Sequence, residues 1–127
     1  MDEEKYSREE NEEVDVLEDK YNKVLEEYFR LQESINTRKE MKIKIIENFN
    51  EIILSIKTQM NRLDVLPDTE DSLKRKTELE DSIVKISMAI MQEKRDSFRD
   101  IMNLQKELSQ LVLNYGTILS GCLKSDV

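Results

Sequence analysis

Leu66-Pro67-Asp68-Thr69-Glu70-Asp71 is the stretch that decides how this chain folds. Pro67 is the only proline in 127 residues. It has no N–H to donate and its ring clashes with the preceding turn, so a helix arriving from the N-terminal side ends there. Asp68 and Thr69 are good N-caps, and Asp71 and Ser72 follow at capping distance, so a second helix starts at once. Residues 67–69 therefore read as a tight turn between two helices.

Upstream of the turn, residues 13–66 read as the first coiled-coil helix. A heptad begins at Val14 and holds one register to Leu66. Its first core position reads Val14, Tyr21, Tyr28, Ile35, Lys42, Phe49, Ile56, Leu63. Its second reads Leu17, Val24, Leu31, Arg38, Ile45, Ile52, Gln59, Leu66. All but Lys42, Arg38 and Gln59 are apolar, and a 3-4 spacing sustained this long is a specific signal for supercoiled helices. Downstream, residues 70–115 read as the second helix, with a stripe of Leu73, Leu79, Ile83, Ile86, Ile90, Phe98, Ile101, Leu104, Leu108, Leu111, Tyr115 and Ile118. Between Ile90 and Phe98 the spacing lengthens to 4-4, a stutter that moves the seam to a neighbouring face. Gly116 is expected to end this helix, leaving residues 116–127 as a tail.

Folding the chain back at Pro67-Asp68 matches the two arms in length. It sets Ile56 near Leu79, Ile45 near Met91, Tyr21 near Tyr115 and Val14 near Cys122. The charged interruptions also match: Arg38 and Lys42 on the first arm lie opposite Glu93, Asp96 and Asp100 on the second. A charged layer inside a coiled coil costs stability but fixes register. The fold expected is all-α, an antiparallel coiled-coil helical hairpin of two long helices, completed by partner helices or by homodimerisation.

Completion from outside is expected because the apolar stripes widen towards the turn. A two-stranded seam needs a narrow stripe, whereas wide stripes call for three or four helices. Exposed apolar surface costs roughly 25 cal/mol per Å2 and invites aggregation. The residues expected to bind partners are Ile46, Phe49, Ile53 and Met60 on the first arm, and Ile83, Val84, Ile86, Ile90 and Met91 on the second.

The composition bounds the chemistry. Charged residues make up 38%, against an average of about 25%. There is no His, which removes the commonest neutral-pH base and metal ligand. Cys122 is the only cysteine, so no intrachain disulfide forms, which fits a reducing compartment. Cys122 has only Lys124 nearby and lacks the electropositive pocket of a reactive thiol. No phosphate-binding glycine loop or paired-cysteine metal spacing is present, and the carboxylates fall on solvated helix faces. No catalytic residue, cofactor or metal is expected.

The net charge is −8. Residues 1–20 carry ten acids and three bases, leaving 18 acids and 17 bases over the rest. The body is thus nearly neutral, and no basic face is offered to nucleic acid. Residues 1–12 read as an acidic arm, either disordered or the frayed start of a helix. The acidic start does not resemble a secretory signal, and no apolar run approaches the roughly 20 residues of a membrane span. The expected location is intracellular, nucleus or cytoplasm.

One stretch resembles a known family. Glu93-Lys94-Arg95-Asp96-Ser97-Phe98-Arg99-Asp100-Ile101-Met102-Asn103-Leu104-Gln105-Lys106, continued through Leu111-Val112-Leu113-Asn114-Tyr115-Gly116, is similar to the C-terminal helix of the centromere protein H family. That helix has a charged stretch, an aromatic, a Met/Leu-rich segment and an apolar run ending near Gly. The family has Ser-Gly followed by Trp where this chain has Tyr115-Gly116-Thr117. The resemblance implies an inner-kinetochore subunit, paired in a coiled coil with a sister subunit and docked on a helical-repeat protein.

Three functions fit these readings. The first is a non-enzymatic structural subunit of a coiled-coil assembly with partners of another kind. The second is a self-sufficient homodimeric four-helix adaptor or tether. The third is a helical chaperone or vesicle-tethering subunit, which needs an exposed apolar arm end.

Overall fold

A computed structural model describes the backbone of residues 2–125 and the side chains of residues 12–120. The chain is two long helices folded as a hairpin: α1 spans Asp2–Asp64 and α2 spans Glu70–Ser125. Among the described residues there is no strand. Contacts divide the chain into two compact units. Residues 37–101 form the turn unit, and residues up to 36 with those from 102 onward form the terminal unit.

The turn is built as the sequence dictates. The Leu66 N–H donates to the Leu63 carbonyl at 3.1 Å, closing the end of α1 ahead of Pro67. Thr69 is the N-cap of α2: the Ser72 N–H donates to its Oγ1 at 3.1 Å. Ser72 answers by accepting the Thr69 N–H on its Oγ at 2.9 Å. This is a capping box with Ser in the place of the usual acid, and it satisfies two backbone donors that the helix start leaves open. The Ser72 hydroxyl also sits within reach of the Thr69 and Pro67 carbonyl oxygens, at 3.0 and 3.3 Å.

Lys76, one turn further along α2, ties both sides of the turn together. Its Nζ lies 3.1 Å from Asp64 and 3.4 Å from Asp68. The hydrogen bond to Asp64, then that to Asp68, hold the ammonium above the ordinary lysine range. A raised lysine contributes its stability in full below its ordinary pKa and loses it as pH rises through the raised value. The charge on Lys76 is therefore constant near neutrality and lost in strong alkali.

In the terminal unit the expected heptad holds from Val24 onward. Val24, Leu31 and Ile35 are buried and Tyr28 is half-buried. On α2, Leu104, Leu108, Leu111, Tyr115 and Ile118 are half-buried and Leu119 is buried. The Lys20 ammonium lies 5.9 Å from the Tyr115 ring centroid, a cation–π contact across the arms. Val14, Leu17 and Tyr21 are exposed, so the first core positions of the heptad stand uncovered. The expected partner of Val14, Cys122, has a side chain outside the described residues.

Two boundaries differ from expectation. α1 begins at Asp2 and so takes in the acidic arm, in line with the helix-start reading of it and not with the disordered one. Glu is a good helix former, and acids suit the positive end of the helix dipole. α2 does not end at Gly116. Tyr115 leaves helical geometry (φ −129°, ψ 22°) and the helix then resumes to Ser125. A glycine C-cap needs a left-handed glycine, and none has positive φ. The kink instead returns Ile118 and Leu119 to the packed side.

Two stability predictions follow from these ends. Thr69→Ala with Ser72→Ala removes the reciprocal cap and should lower stability by about 1–2 kcal/mol in a denaturant melt followed by circular dichroism. Gly116→Ala should raise stability by about 0.5–1 kcal/mol, because nothing lies within 4 Å of an added Cβ and alanine is the better helix former.

Candidate functional site

The turn unit carries both the charged layer and the expected partner-binding residues. Its seam keeps the first core positions of the heptad, Lys42, Phe49, Ile56 and Leu63, but shifts the second ones. On α1 the half-buried or buried positions are Arg38, Lys42, Ile45, Ile46, Phe49, Ile53, Ile56, Met60 and Leu63, while Ile52 and Gln59 are exposed. The step from Arg38 through Lys42 to Ile46 is 4-4, so the stutter lies here on α1. The chain has a choice at this point, because Ile45-Ile46 and Ile52-Ile53 offer apolar residues to either seam. Taking Ile46 and Ile53 brings Met60 onto the seam in place of Gln59 and avoids burying an amide.

On α2 the correction is the mirror of this. Ile90, Glu93, Ser97 and Asp100 continue the 3-4 spacing, so the expected slip between Ile90 and Phe98 does not occur. Ser97 is 0% exposed and Phe98, assigned to the stripe from the sequence, is 67% exposed. Leu73 also faces out, with Ser72 in its place on the packed side. Ser97 escaped the reading because serine is not an apolar marker. Its hydroxyl is satisfied locally, within 3.2 Å of the Lys94 carbonyl, so it can be buried at small cost.

Arg38 crosses to α2 beside Ser97. Its Nη1 donates to Glu93 Oε1 at 2.7 Å and its Nε to Asp100 Oδ2 at 3.0 Å. The two acceptors lie on either side of Ser97 along the α2 stripe, where a small residue leaves room for a guanidinium. Arg38 and Glu93 are only 15% and 13% exposed, whereas Asp100 is 44% exposed. The hydrogen bonds from Glu93 and then Asp100 push the Arg38 pKa above its ordinary value against the opposing effect of burial. The guanidinium therefore stays charged at every accessible pH.

The other two members of the expected layer do not join it. Asp96 accepts from Gln92 at 2.9 Å and from Arg99 at 3.3 Å, both on its own helix. Lys42 is half-buried on the seam and has no ion-pair partner within 4.0 Å among the described residues.

The expected partner-binding residues divide in two. Ile46, Phe49, Ile53, Met60, Ile83, Ile86 and Ile90 are half-buried along the hairpin's own seam, and Val84 and Met91 face solvent. To Val84 and Met91 the structure adds other outward apolar residues: Met41, Ile43, Ile45, Ile52, Leu54 and Met88. Met41, half-buried Ile45 and Ile52 share one flank of α1, and Ile43 and Leu54 share the other. Val84 and Met91 line one flank of α2, and Met88 lies at its back. The signal for them was present as paired Ile45-Ile46 and Ile52-Ile53 and the i, i+4, i+7 run of Val84, Met88 and Met91.

Among the described residues no cluster of three or more His, Cys, Asp or Glu could hold a metal ion, and no helix is long and apolar enough to cross a membrane. No protein-family model, curated protein or solved structure matches the chain.

The charged layer gives a paired prediction. Arg38→Ala strands the Glu93 carboxylate in a half-dry site and should cost about 1–3 kcal/mol, less than a fully buried pair because Asp100 stays wet. Replacing Arg38, Glu93 and Asp100 together by Leu should restore stability to wild type or above while loosening register. Spin labels across the arms would then report a broader distance distribution in the triple variant.

Proposed function

We propose that this protein is a non-enzymatic structural subunit of a multi-protein coiled-coil assembly, holding other helical subunits by packing. The observation that supports this most is the flank of α1 carrying Met41, Ile45 and Ile52, spaced i, i+4 and i+11 along one side of the seam. A stripe with that spacing is what an added helix packs into. The two helices of the hairpin leave Met41 and Ile52 of this stripe exposed. The near-neutral body and the −8 net charge favour protein partners over nucleic acid.

The partners are other coiled-coil subunits within the cell, in nucleus or cytoplasm. The resemblance of Glu93–Gly116 to the centromere protein H family makes inner-kinetochore subunits the first class to examine. Affinity capture of the full chain from native extract, read by mass spectrometry, tests the reading. The expected result is a recurrent set of helical proteins that is lost from Met41→Glu with Ile52→Glu while helical content is kept. Retention of the same set by that variant would remove this flank from the account.

A further inference from the structure

The turn unit has a second uncovered face, and it is self-complementary. The Arg75 Nη2 and Gln59 Oε1 meet at 3.4 Å, which shows that the flank of α1 bearing Gln59, Ile52 and Ile45 adjoins the flank of α2 bearing Arg75. At about 100° per residue, Ile43 and Leu54 fall on the opposite flank of α1 and Val84 and Met91 on the opposite flank of α2, while Met88 lies at the back of α2, directly away from the seam. Ile43, Leu54, Val84 and Met91 therefore share one face, and each is more than half exposed.

Along α2 this face repeats itself about the point between Ser87 and Met88. Val84 stands as far before that point as Met91 stands after it. The acidic pair Glu80-Asp81 stands as far before it as the basic pair Lys94-Arg95 stands after it. On α1 the same symmetry holds about the point between Asn48 and Phe49. There Ile43 matches Leu54, and Glu40 matches Lys57. The two centres lie equally far from the Pro67-Asp68 turn to within one residue, so they stand level across the hairpin. All six charged residues are exposed, and none has an ion-pair partner within 4.0 Å among the described residues.

We propose that this face binds a second copy of the chain across a two-fold axis, α2 against α2 and α1 against α1, both antiparallel, giving a four-helix bundle. An isologous contact requires each residue to meet its symmetry mate's counterpart. Here Val84 meets Met91, Ile43 meets Leu54, Glu80-Asp81 meets Lys94-Arg95, and Glu40 meets Lys57. Both helix pairs give one axis independently, and every charged match is of opposite sign. Four side chains per copy, each covering roughly 100 Å2, bury about 800 Å2, and the stems of the flanking Glu40, Lys57, Glu80 and Lys94 bring the contact towards the roughly 1,000 Å2 of a specific interface. The proposal rests on the reading of the chain as a helix-packing protein, but it uses the face opposite Met41 and Ile52 and leaves that flank open to other subunits.

The test uses the full chain with Cys122→Ser. Light scattering at tens of micromolar should give twice the chain mass. Mixing Val84→Cys chains with Met91→Cys chains under mild oxidation should yield crosslinked dimers, while either variant alone should crosslink far less. Glu80→Lys with Asp81→Lys should weaken dimerisation by about tenfold or more, and adding Lys94→Glu with Arg95→Glu should restore it. Circular dichroism confirms that each variant remains helical. A helical monomer at these concentrations would overturn the proposal, as would a dimer lacking the mixed crosslink or one in which the fourfold charge exchange restores nothing. A monomer that still captures partners through the Met41–Ile52 flank would sink this contact and leave the proposed function standing.

Discussion

Two paired helices can bury one stripe on each, and this chain carries more apolar surface than one stripe. That constraint governs the turn unit. Ile45 and Ile46, then Ile52 and Ile53, lie side by side, so whichever of each pair packs in the hairpin, the other is turned towards its flank. α2 repeats the condition with Ile83, Ile86 and Ile90 on the seam and Val84, Met88 and Met91 outside it. The hairpin satisfies its own pairing and leaves apolar rows on both faces.

The choice between the two possible seams is made where charge enters the core. Arg38 reaches Glu93 and Asp100 across a buried Ser97. Such a layer adds little net stability over apolar packing, but a shifted pairing would leave a half-buried guanidinium and carboxylate unpaired, which costs several times more. The layer thereby fixes one alignment, and Lys42 then marks the step onto the Ile46–Ile53–Met60 seam. Alignment in turn sets which side chains remain outside.

Much of this architecture was legible in the sequence. Pro67 with Thr69 and Ser72 announces the turn because those residues act locally, through φ restriction and side-chain capping. The pairing of Arg38 with Glu93 and Asp100 was readable because opposite charges interrupt both arms at one level. The seam of the turn unit was not, since a heptad count treats Ile45 and Ile46 as equivalent and only packing of both arms together selects between them. Ser97 was invisible for a related reason: a small polar residue is buried there to admit Arg38, and apolar periodicity marks Phe98 beside it instead. Most of the partner-binding residues expected from the sequence proved to be seam residues, because a wide stripe does not reveal which of its edges faces inward.

The central claim is that the outward apolar rows are covered by helices of other chains. Methyl-selective NMR on methionine-labelled full chain, with a soluble paramagnetic probe, measures this residue by residue. Met60, on the seam, should be protected at every concentration. Met88 and Met91 should be broadened by the probe in dilute solution and become protected as the chain associates. Met41, Met88 and Met91 all remaining open to the probe from dilute to concentrated solution, and in the assembly isolated from native extract, would contradict the account.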